Sequence, residues 1–572
     1  VQPYQASVEA PTAPDPPSPA GAAAAPTQAA SVRAQEARAA QRGFFLITGA
    51  KVWFLLTGTA LNIGLPRLLG DPARFGDFGV VNTFISILNM VLITGAVQGV
   101  SKRVSEHPEA AWAVCRAGLR LMAWVGGAAL VALLAGADLL ARYVFHDPSL
   151  AGLVRIAALI PFAYGFYAVF IGVFNGLKRF ARQALFDISF ATLKLGLVLG
   201  LVLAGLSVVG ALAGFAAAAS LIAAAAWIYT ARSVPRPASP AGAPTPVRLG
   251  AFMAQVMGYT LLVNFLLGGD VLLLKSLSFA PILDAVRHAP DSLAALAPAS
   301  GALPLDPAAR ATEHTAVLTG LYRATRNVSL ISYQAVIAVT FVVFPLVSRA
   351  TFQRDTSATR TYVGQTLRVA LLLVGGVATA LAAGGEPLLA LLFGDAYAVA
   401  SPALLPLLGA MAALALFYVL ATILTASGRP RVPLVIAAVA VVVEVMGLFL
   451  VLPSASPGAP MLLATAGVTL GANGLALVGA AVAVARALHA GLALPTAVRV
   501  ALASASSLLA VAAVGALGGR AEQGLGAIFV RLLVAGVVFV LVLALTRELT
   551  GRDLALARRL LSRSQGAPSE TS

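Results

Sequence analysis

The chain has 572 residues, 59% of them hydrophobic and 11% charged, with a mean hydropathy of +0.89 and a formal charge of +16. That composition leaves too little polar surface to cover a water-soluble globule of this length, so an integral membrane protein is expected. Its cations stand beside apolar spans, where they orient the chain and meet anionic lipid heads, so no nucleic-acid partner is expected. The one cysteine, Cys115, excludes an intrachain disulfide and a cysteine-based metal cluster, and the five scattered histidines suggest no metal site. No cofactor is implied.

Residues 1–32 are rich in Ala and Pro and lack a basic n-region and an apolar h-region, so they read as a tail rather than a signal peptide. With few large apolar side chains to offset the entropy of ordering, the stretch 1–43 is expected to be a disordered cytoplasmic tail. At about 20 apolar residues per crossing, the first set of spans lies near 44–63, 78–99, 121–141, 153–175, 184–205 and 207–231. A second set lies near 252–275, 316–346, 367–385, 402–425, 432–452, 461–485, 497–518 and 525–546. Between the sets, SVPRPASPAGAPTPVR marks a Pro-rich linker, assigned to 233–251. The expected fold class is an all-α integral membrane protein of about 14 transmembrane helices. Two pseudo-symmetric six-helix lobes, 44–232 and 252–487, are followed by two C-terminal helices over 488–546 and a basic tail over 547–572.

The halves echo each other. FHDPSLAGLVRIAALIPFAYGFYAVFIGVFNGLKRF (145–180) and FGDAYAVASPALLPLLGAMAALALFYVLATILTASGRPRV (393–432) both place Phe-x-Asp before a span that ends in Gly and basic residues. Asn82–Ser101 likewise echoes Asn327–Ser348, again at an offset near 250 residues. An even number of spans per copy keeps both copies in one orientation. The far-side loop 276–315 breaks the pattern. Its Ile282, Leu283, Val286, Leu293 and Leu296 suggest either a short amphipathic helix facing lipid or the cavity mouth, or an unstructured loop.

Of the 39 Lys and Arg, 26 fall in the N-tail, the even-numbered turns and the C-tail, and seven in the odd-numbered turns. Short loops rich in Lys and Arg stay on the cytoplasmic side, so both termini are expected there. The remaining six, Lys51, Lys194, Lys275, Arg323, Arg326 and Arg531, lie within spans. Residues spaced i, i+3, i+4, i+7 share a helix face. Span 1 puts Thr48, Lys51, Gly58 and Asn62 on one stripe, and span 2 does so with Asn82, Ser86 and Asn89. Span 7 carries Asn264, Gly268 and Lys275 with Asp270 nearby, and span 8 carries Thr319, Arg323, Arg326, Asn327 and Gln334.

Each Arg or Lys facing lipid at a helix centre costs about 2.5 to 3.5 kcal/mol, so these stripes are expected to line a shared, cation-rich cavity. The acids within spans are Asp187, Asp270 and Glu444, fewer than the cations, and they are candidates for ion coupling. Arg531 is expected to reach the far interface, and Lys194 to pair with Asp187 or Glu444. Lys51, Lys275, Arg323 and Arg326 are assigned to ligand contact. Arg and Lys suit phosphate, while Asn62, Asn82, Asn89, Asn264, Asn327 and Gln334 suit hydroxyl-rich groups. Trp53, Tyr322 and Tyr333 are candidates to stack on sugar rings.

The runs FGDFGVVNTFISILNMVLITGAVQGVSKRVSE (75–106), GVFNGLKRF (172–180), GLYRATRNVSLISYQAVIAVTFVVFPLVSRA (320–350) and LLALLFGDAY (388–397) resemble the polysaccharide-exporter and lipid-linked oligosaccharide flippase (Wzx-type) branch of the MOP superfamily. That branch is similar to the lipid II flippases. The resemblance implies a V-shaped alternating-access cavity lined by helices 1, 2, 7 and 8. It also implies a lipid pyrophosphate held by cavity cations, here Lys51, Lys275, Arg323 and Arg326. Function follows as an expectation: translocation of a polyprenyl-pyrophosphate-linked oligosaccharide across a bacterial inner membrane for polysaccharide biosynthesis. Membrane lipids and possibly the polysaccharide polymerase machinery are the expected partners, and the protein is expected not to be an enzyme. GFFLITGAK at 43–51 has the wrong spacing for a nucleotide-binding P-loop. A MATE-like multidrug or cation antiporter is the main rival. A membrane glycosyltransferase or polymerase is the other, although Asp284, Asp291 and Asp306 lack metal-ligand spacing.

Overall fold

The computed structural model describes residues 28–236, 246–297, 304–352, 356–491, 494–518 and 524–549, and among these no strand occurs. The first half comprises α1 (Gln28–Leu69), α2 (Pro72–Glu106), α3 (Ala111–Leu139), α4 (Leu150–Ala157), α5 (Leu159–Gly176), α6 (Phe180–Leu201) and α7 (Ser207–Ser233). The second comprises α8 (Pro246–Leu266), α9 (Gly269–His288), α10 (Pro307–Phe352), α11 (Thr356–Phe393), α12 (Leu404–Ala426), α13 (Arg431–Val451) and α14 (Ala459–Leu488). Two further helices close the chain, α15 (Leu494–Gly518) and α16 (Leu525–Leu545). Eleven helical runs among the described residues are long and apolar enough to cross a membrane, or twelve if a bent pair counts as one span. The protein is thus a multi-pass membrane protein, and one of those runs, Phe180–Ser233, holds both α6 and α7.

Several boundaries differ from expectation. Residues 28–43, read as tail, are helical and continuous with α1, while 1–27 lie outside the described residues. So do 237–245 of the linker and 550–572 of the C-tail. Span 7 is broken: α8 and α9 meet at a 56° bend. Its cause is the pair Gly268 and Gly269, since consecutive glycines weaken a helix, and Gly268 seats against Thr83 of α2, leaving no room for a Cβ. Most of the loop expected at 276–315 is helix. α9 runs on to His288, a single-turn segment follows at Pro290–Leu296, and α10 starts at Pro307. Ile282, Val286, Leu293 and Leu296 are buried in the protein core, not turned to lipid.

Burial divides the bundle along its length. The beginnings of α2, α5, α10 and α12 lie at one end, called here the far end. There, apolar residues of both halves merge into one core, with Phe75, Val81, Ile160, Leu212, Val271, Leu318, Leu404 and Met461 among them. Toward the near end, where α2 and α10 finish, the core divides. One part gathers first-half residues with Leu249 and Met253 of α8. The other gathers second-half residues such as Leu367, Phe417, Ala437 and Ala480. The run around α5 and the run around α12 are the innermost, with 78% of the most apolar stretch buried in each.

The sequence echo has a backbone counterpart. α5 and α12 end in the same cap: Arg179 N–H donates to Phe174 O at 2.8 Å, and Arg429 N–H to Leu424 O at 2.9 Å. The residue that turns the chain has φ +57° at Lys178 and +82° at Gly428, the left-handed conformation this motif requires. Both Phe-x-Asp motifs repeat the feature, with φ +52° at His146 and +110° at Gly394.

Helices α15 and α16 pack on α11 through Val500, Ala503, Phe539 and Leu543, and through Ala383, Val511 and Ala535. Their near-end attachment is polar. Buried Glu548 accepts from Arg368 Nε at 2.8 Å, Arg499 Nη1 at 2.7 Å and Thr496 Oγ1 at 3.0 Å. Burial alone raises the Glu548 carboxyl, but hydrogen bonds from Arg368, Arg499 and Thr496 outweigh it and hold the group below its usual range. A carboxyl depressed on folding adds stability above its unfolded pKa and loses it as pH falls through the folded value. Glu548→Gln is therefore expected to cost roughly 3 kcal/mol at pH 7, as for a buried ion pair stripped of one member, and to flatten the acid limb of a stability–pH curve. Thermal unfolding of purified protein between pH 3 and 8 checks this; an unchanged curve would refute the clamp.

Candidate functional site

At the far end, α2 and α10 cross with their backbones touching. A Cβ on Gly76 would overlap the Ala316 carbonyl, and one on Gly320 would overlap that of Pro72. Only glycine permits so close an approach. One turn deeper, Arg323 of α10 lies over Gly79. Its Nη1 donates to the Gly79 carbonyl at 2.6 Å and to the Thr83 hydroxyl, and its guanidinium sits 5.7 and 5.5 Å from the Phe75 and Phe78 rings.

Beside this crossing, Lys275 of α9 is fully buried. Its Nζ lies 3.0 Å from Asp147 Oδ2, in the turn between α3 and α4, and 3.6 Å from Asp77 Oδ1 on α2. Asp147 Oδ1 also accepts from Ser149 N–H at 3.2 Å and Oγ at 2.6 Å, which fixes the carboxylate on a tight Asp-Pro-Ser turn. The Thr312 hydroxyl donates to the His146 carbonyl at 3.1 Å, and the His146 ring stacks on Phe279 at 4.7 Å. Burial, and then the nearby Lys275 ammonium, lower the His146 pKa, so the imidazole stays neutral beside that cation.

A second buried group joins α9, α10 and α13. Asp270 Oδ2 accepts from Arg326 Nε at 2.9 Å and from the Tyr322 hydroxyl at 2.9 Å, and its Oδ1 accepts from Val271 N–H at 2.9 Å. Glu444 adjoins this pair and has no exposed surface; neither of its oxygens has a hydrogen-bond partner. An ionised carboxylate in such a place would be costly.

In the first half, Lys51 Nζ lies 3.1 Å from Asp187 Oδ2 of α6, and the Tyr167 hydroxyl donates to Asp187 Oδ1 at 3.2 Å. Lys51 borders a cavity of about 210 Å³ between α1, α2, α5 and α6. A smaller hollow between α1, α10 and α11 brings together Thr59, Asn62, Asn327 and Gln334.

The four cations assigned to ligand contact are thus distributed over separate partner sets. Lys275, Arg323 and Arg326 are buried and engaged, and Lys51, half-exposed, borders a cavity. Lys194 pairs with neither acid expected for it, because Lys51 takes Asp187. Its ammonium instead sits 4.9 to 5.9 Å from the rings of Phe54, Phe190 and Phe215. Arg531 packs beside Gly515. Among the amides, Asn89 is buried with an unpartnered Oδ1, Asn82 is half-buried, and Asn264 donates to Thr260 O of its own helix at 2.8 Å. Of the aromatic candidates, Trp53 Nε1 donates to Thr192 Oγ1 at 3.0 Å and Tyr333 packs edge-on against Tyr418. Sequence reasoning missed Asp77 and Asp147, which it assigned to turns. The Asp147-Pro148-Ser149 turn signal was present, but not the fact that the turn folds inward.

Two helical halves joined at one end and separate at the other define the class as a multi-helix, multi-pass membrane fold. The lipid II flippase MurJ in an inward closed conformation superposes with a TM-score of 0.65 at 10% identity, covering 88% of this chain and 99% of that one. A MATE-family multidrug resistance transporter of the MOP superfamily superposes in its inward-facing form with a TM-score of 0.56 at 16% identity, over 76% of this chain and 95% of that one. An outward-facing structure of a MATE-family multidrug resistance transporter gives 0.53 at 16% identity, over 78% and 94%. No curated protein matches the sequence. Residues 42–351 match the model of the polysaccharide biosynthesis protein family, and the chain belongs to that family.

If the glycine crossing holds the far end shut, Gly320→Ala should force it open. In a Cys115→Ala background, a cysteine at buried Ala316 is expected to react slowly with a water-soluble maleimide, and roughly tenfold faster once Gly320→Ala adds a methyl worth over 1 kcal/mol of overlap. An unchanged rate in folded protein would show that the crossing is not a gate.

Proposed function

We propose that this protein is a flippase that moves a polyprenyl-pyrophosphate-linked oligosaccharide from the inner to the outer leaflet of a bacterial inner membrane, by alternating access between the two halves. The observation that carries this reading is the pair of ionic and polar ties across the far end, Lys275 to Asp147 and Asp77 and Arg323 to Gly79 and Thr83. With those ties made and the cores separate toward the near end, the molecule is sealed on one side. The excess of Lys and Arg in near-end segments supports a cytoplasmic near end.

In this mechanism three of the four cations divide two duties between them. Lys51 stands at the cytoplasmic opening, half-exposed, to meet the head group as it enters. Lys275 and Arg323 close the far end while paired with the opposite half. When the halves part, both lose those partners and present unpaired charge to the pyrophosphate on its way out. The membrane potential assists an anionic head by about 2.3 kcal/mol per charge per 100 mV. The polyprenyl tail stays in lipid throughout. Asp270 and Glu444, sharing Arg326, are the site we assign to coupling, with Asp187 a second candidate; each can trade a partner when its helix moves.

A MATE-like exporter of organic cations is the alternative reading, supported by the fold alone. The buried Lys and Arg argue against it, since a cationic substrate would meet repulsion. The test is translocation of a fluorescent polyprenyl pyrophosphate in vesicles containing purified protein. Wild type is expected to transport it, and Lys275→Gln with Arg323→Gln to reduce the rate by roughly a hundredfold, for the loss of two charged contacts of about 1.5 kcal/mol each. Full transport by a stably folded double variant, or competition by organic cations and not by lipid pyrophosphates, would overturn the proposal.

A further inference from the structure

The cavity in the first half has features that the movement of a phosphate does not use. Its volume of about 210 Å³ is room for about seven waters at about 30 Å³ each. That suits a single sugar ring and is too small for an oligosaccharide. Its charge is balanced, because the Lys51 ammonium is matched by the Asp187 carboxylate 3.1 Å away. A phosphate would gain little there, and an organic cation no more. Hydroxyl groups would gain a good deal. Lys51 keeps two further N–H donors after bonding Asp187, and a carboxylate accepts several bonds.

Gln183, also on the cavity wall, is 5% exposed, and its Oε1 has no hydrogen-bond partner. A buried amide oxygen without a donor has lost its hydration with nothing in return, a loss that a ligand hydroxyl would make good. Gln98, which lines the cavity from α2, is exposed and presents both donor and acceptor groups. The rest of the lining is largely apolar: Ile93, Val97, Ala168 and Ile171 stand beside Tyr164 and Tyr167, whose ring centroids are 5.2 Å apart at 35° and which are both buried. An apolar wall with a rim of amides and one carboxylate is the chemistry that holds a pyranose ring, whose axial C–H groups form an apolar face and whose hydroxyls point outward.

We infer that this cavity binds one neutral hexopyranose ring of the transported glycan, between Tyr164 and Tyr167 on one side and Lys51, Asp187, Gln98 and Gln183 on the other. This inference rests on the lipid-linked oligosaccharide proposed above and adds a determinant of specificity to it. The sugar is read in the first half, and the pyrophosphate is handled by cations elsewhere. A protein so built distinguishes lipids by their glycan and not only by their charge.

The experiment uses the full chain, purified, and four diazirine-bearing sugars: methyl glucoside, methyl galactoside, methyl mannoside and N-acetylglucosamine. At least one is expected to cross-link to peptides containing Tyr164 or Gln183, with free sugar competing and inorganic pyrophosphate not. Gln183→Leu is expected to lower that labelling roughly tenfold, the effect of losing one neutral hydrogen bond to a ligand hydroxyl. Gln98→Leu, at an exposed position that tolerates change, guards against a misfolded first variant and should also lower it. A parallel arm measures binding of polyprenyl pyrophosphate lacking any sugar, which Gln183→Leu should leave unchanged.

Absence of labelling by all four sugars, labelling indifferent to both substitutions, or competition by pyrophosphate would overturn the inference. If the sugar-free lipid still binds in that event, the flippase reading stands. If wild type labels with sugar yet binds no polyprenyl pyrophosphate, the flippase reading fails and the sugar site survives it.

Discussion

The structure depends on one buried cation. Lys275 has no exposed surface, and an unpaired ammonium at that depth would cost many kcal/mol. It is tolerable only because Asp147 and Asp77 reach it from the other half of the molecule. The far ends of α2, α9 and the turn before α4 are therefore bound to one another by charge, and the glycine crossing of α2 and α10 follows in the space beside them. If the halves part, Lys275 and both carboxylates must be rehydrated together. A closed end secured in this way opens to water or stays dry, and an intermediate state would leave charges in hydrocarbon.

Helices and their repetition were legible in the sequence because they rest on local physics. Phe-x-Asp and the Gly-plus-basic span ends each encode a turn in a few adjacent residues, and the backbone at Lys178 and Gly428, and at His146 and Gly394, repeats accordingly. Hydropathy located most helices. It could not see that Gly268-Gly269 would split one of them, because a helix break depends on what the glycines lean against, here Thr83. Nor could it see α9 extending to His288 with its apolar face inside, since a short Ile–Leu–Val pattern looks the same facing lipid or core.

The charge pattern was harder to read. Counting acids within spans left the cations in surplus, and the inference of a common positive hollow followed. Two of the carboxylates that matter, Asp77 and Asp147, belong to segments assigned outside the spans, and Lys51, Lys275, Arg323 and Arg326 separate onto different helix pairs once those acids enter. Sequence spacing reports which face of a helix is polar. It does not report which neighbour that face meets, and in this molecule the neighbour decides whether a cation is left half-exposed beside a cavity or buried in an ion pair.

The glycine contact between α2 and α10 has a mechanical meaning. Dispersion attraction between touching backbones falls by a quarter to a half over a gap of about 0.5 to 1 Å, so much of it is lost within the first ångström of separation. Arg323, one turn deeper, is the long side chain that reaches across from α10 to α2, and its bonds to Gly79 and Thr83 are lost over a similarly short distance. The junction behaves as a snap fastener and not as a spring, and two conformations separated by a threshold are what such a fastener imposes on the bundle around it.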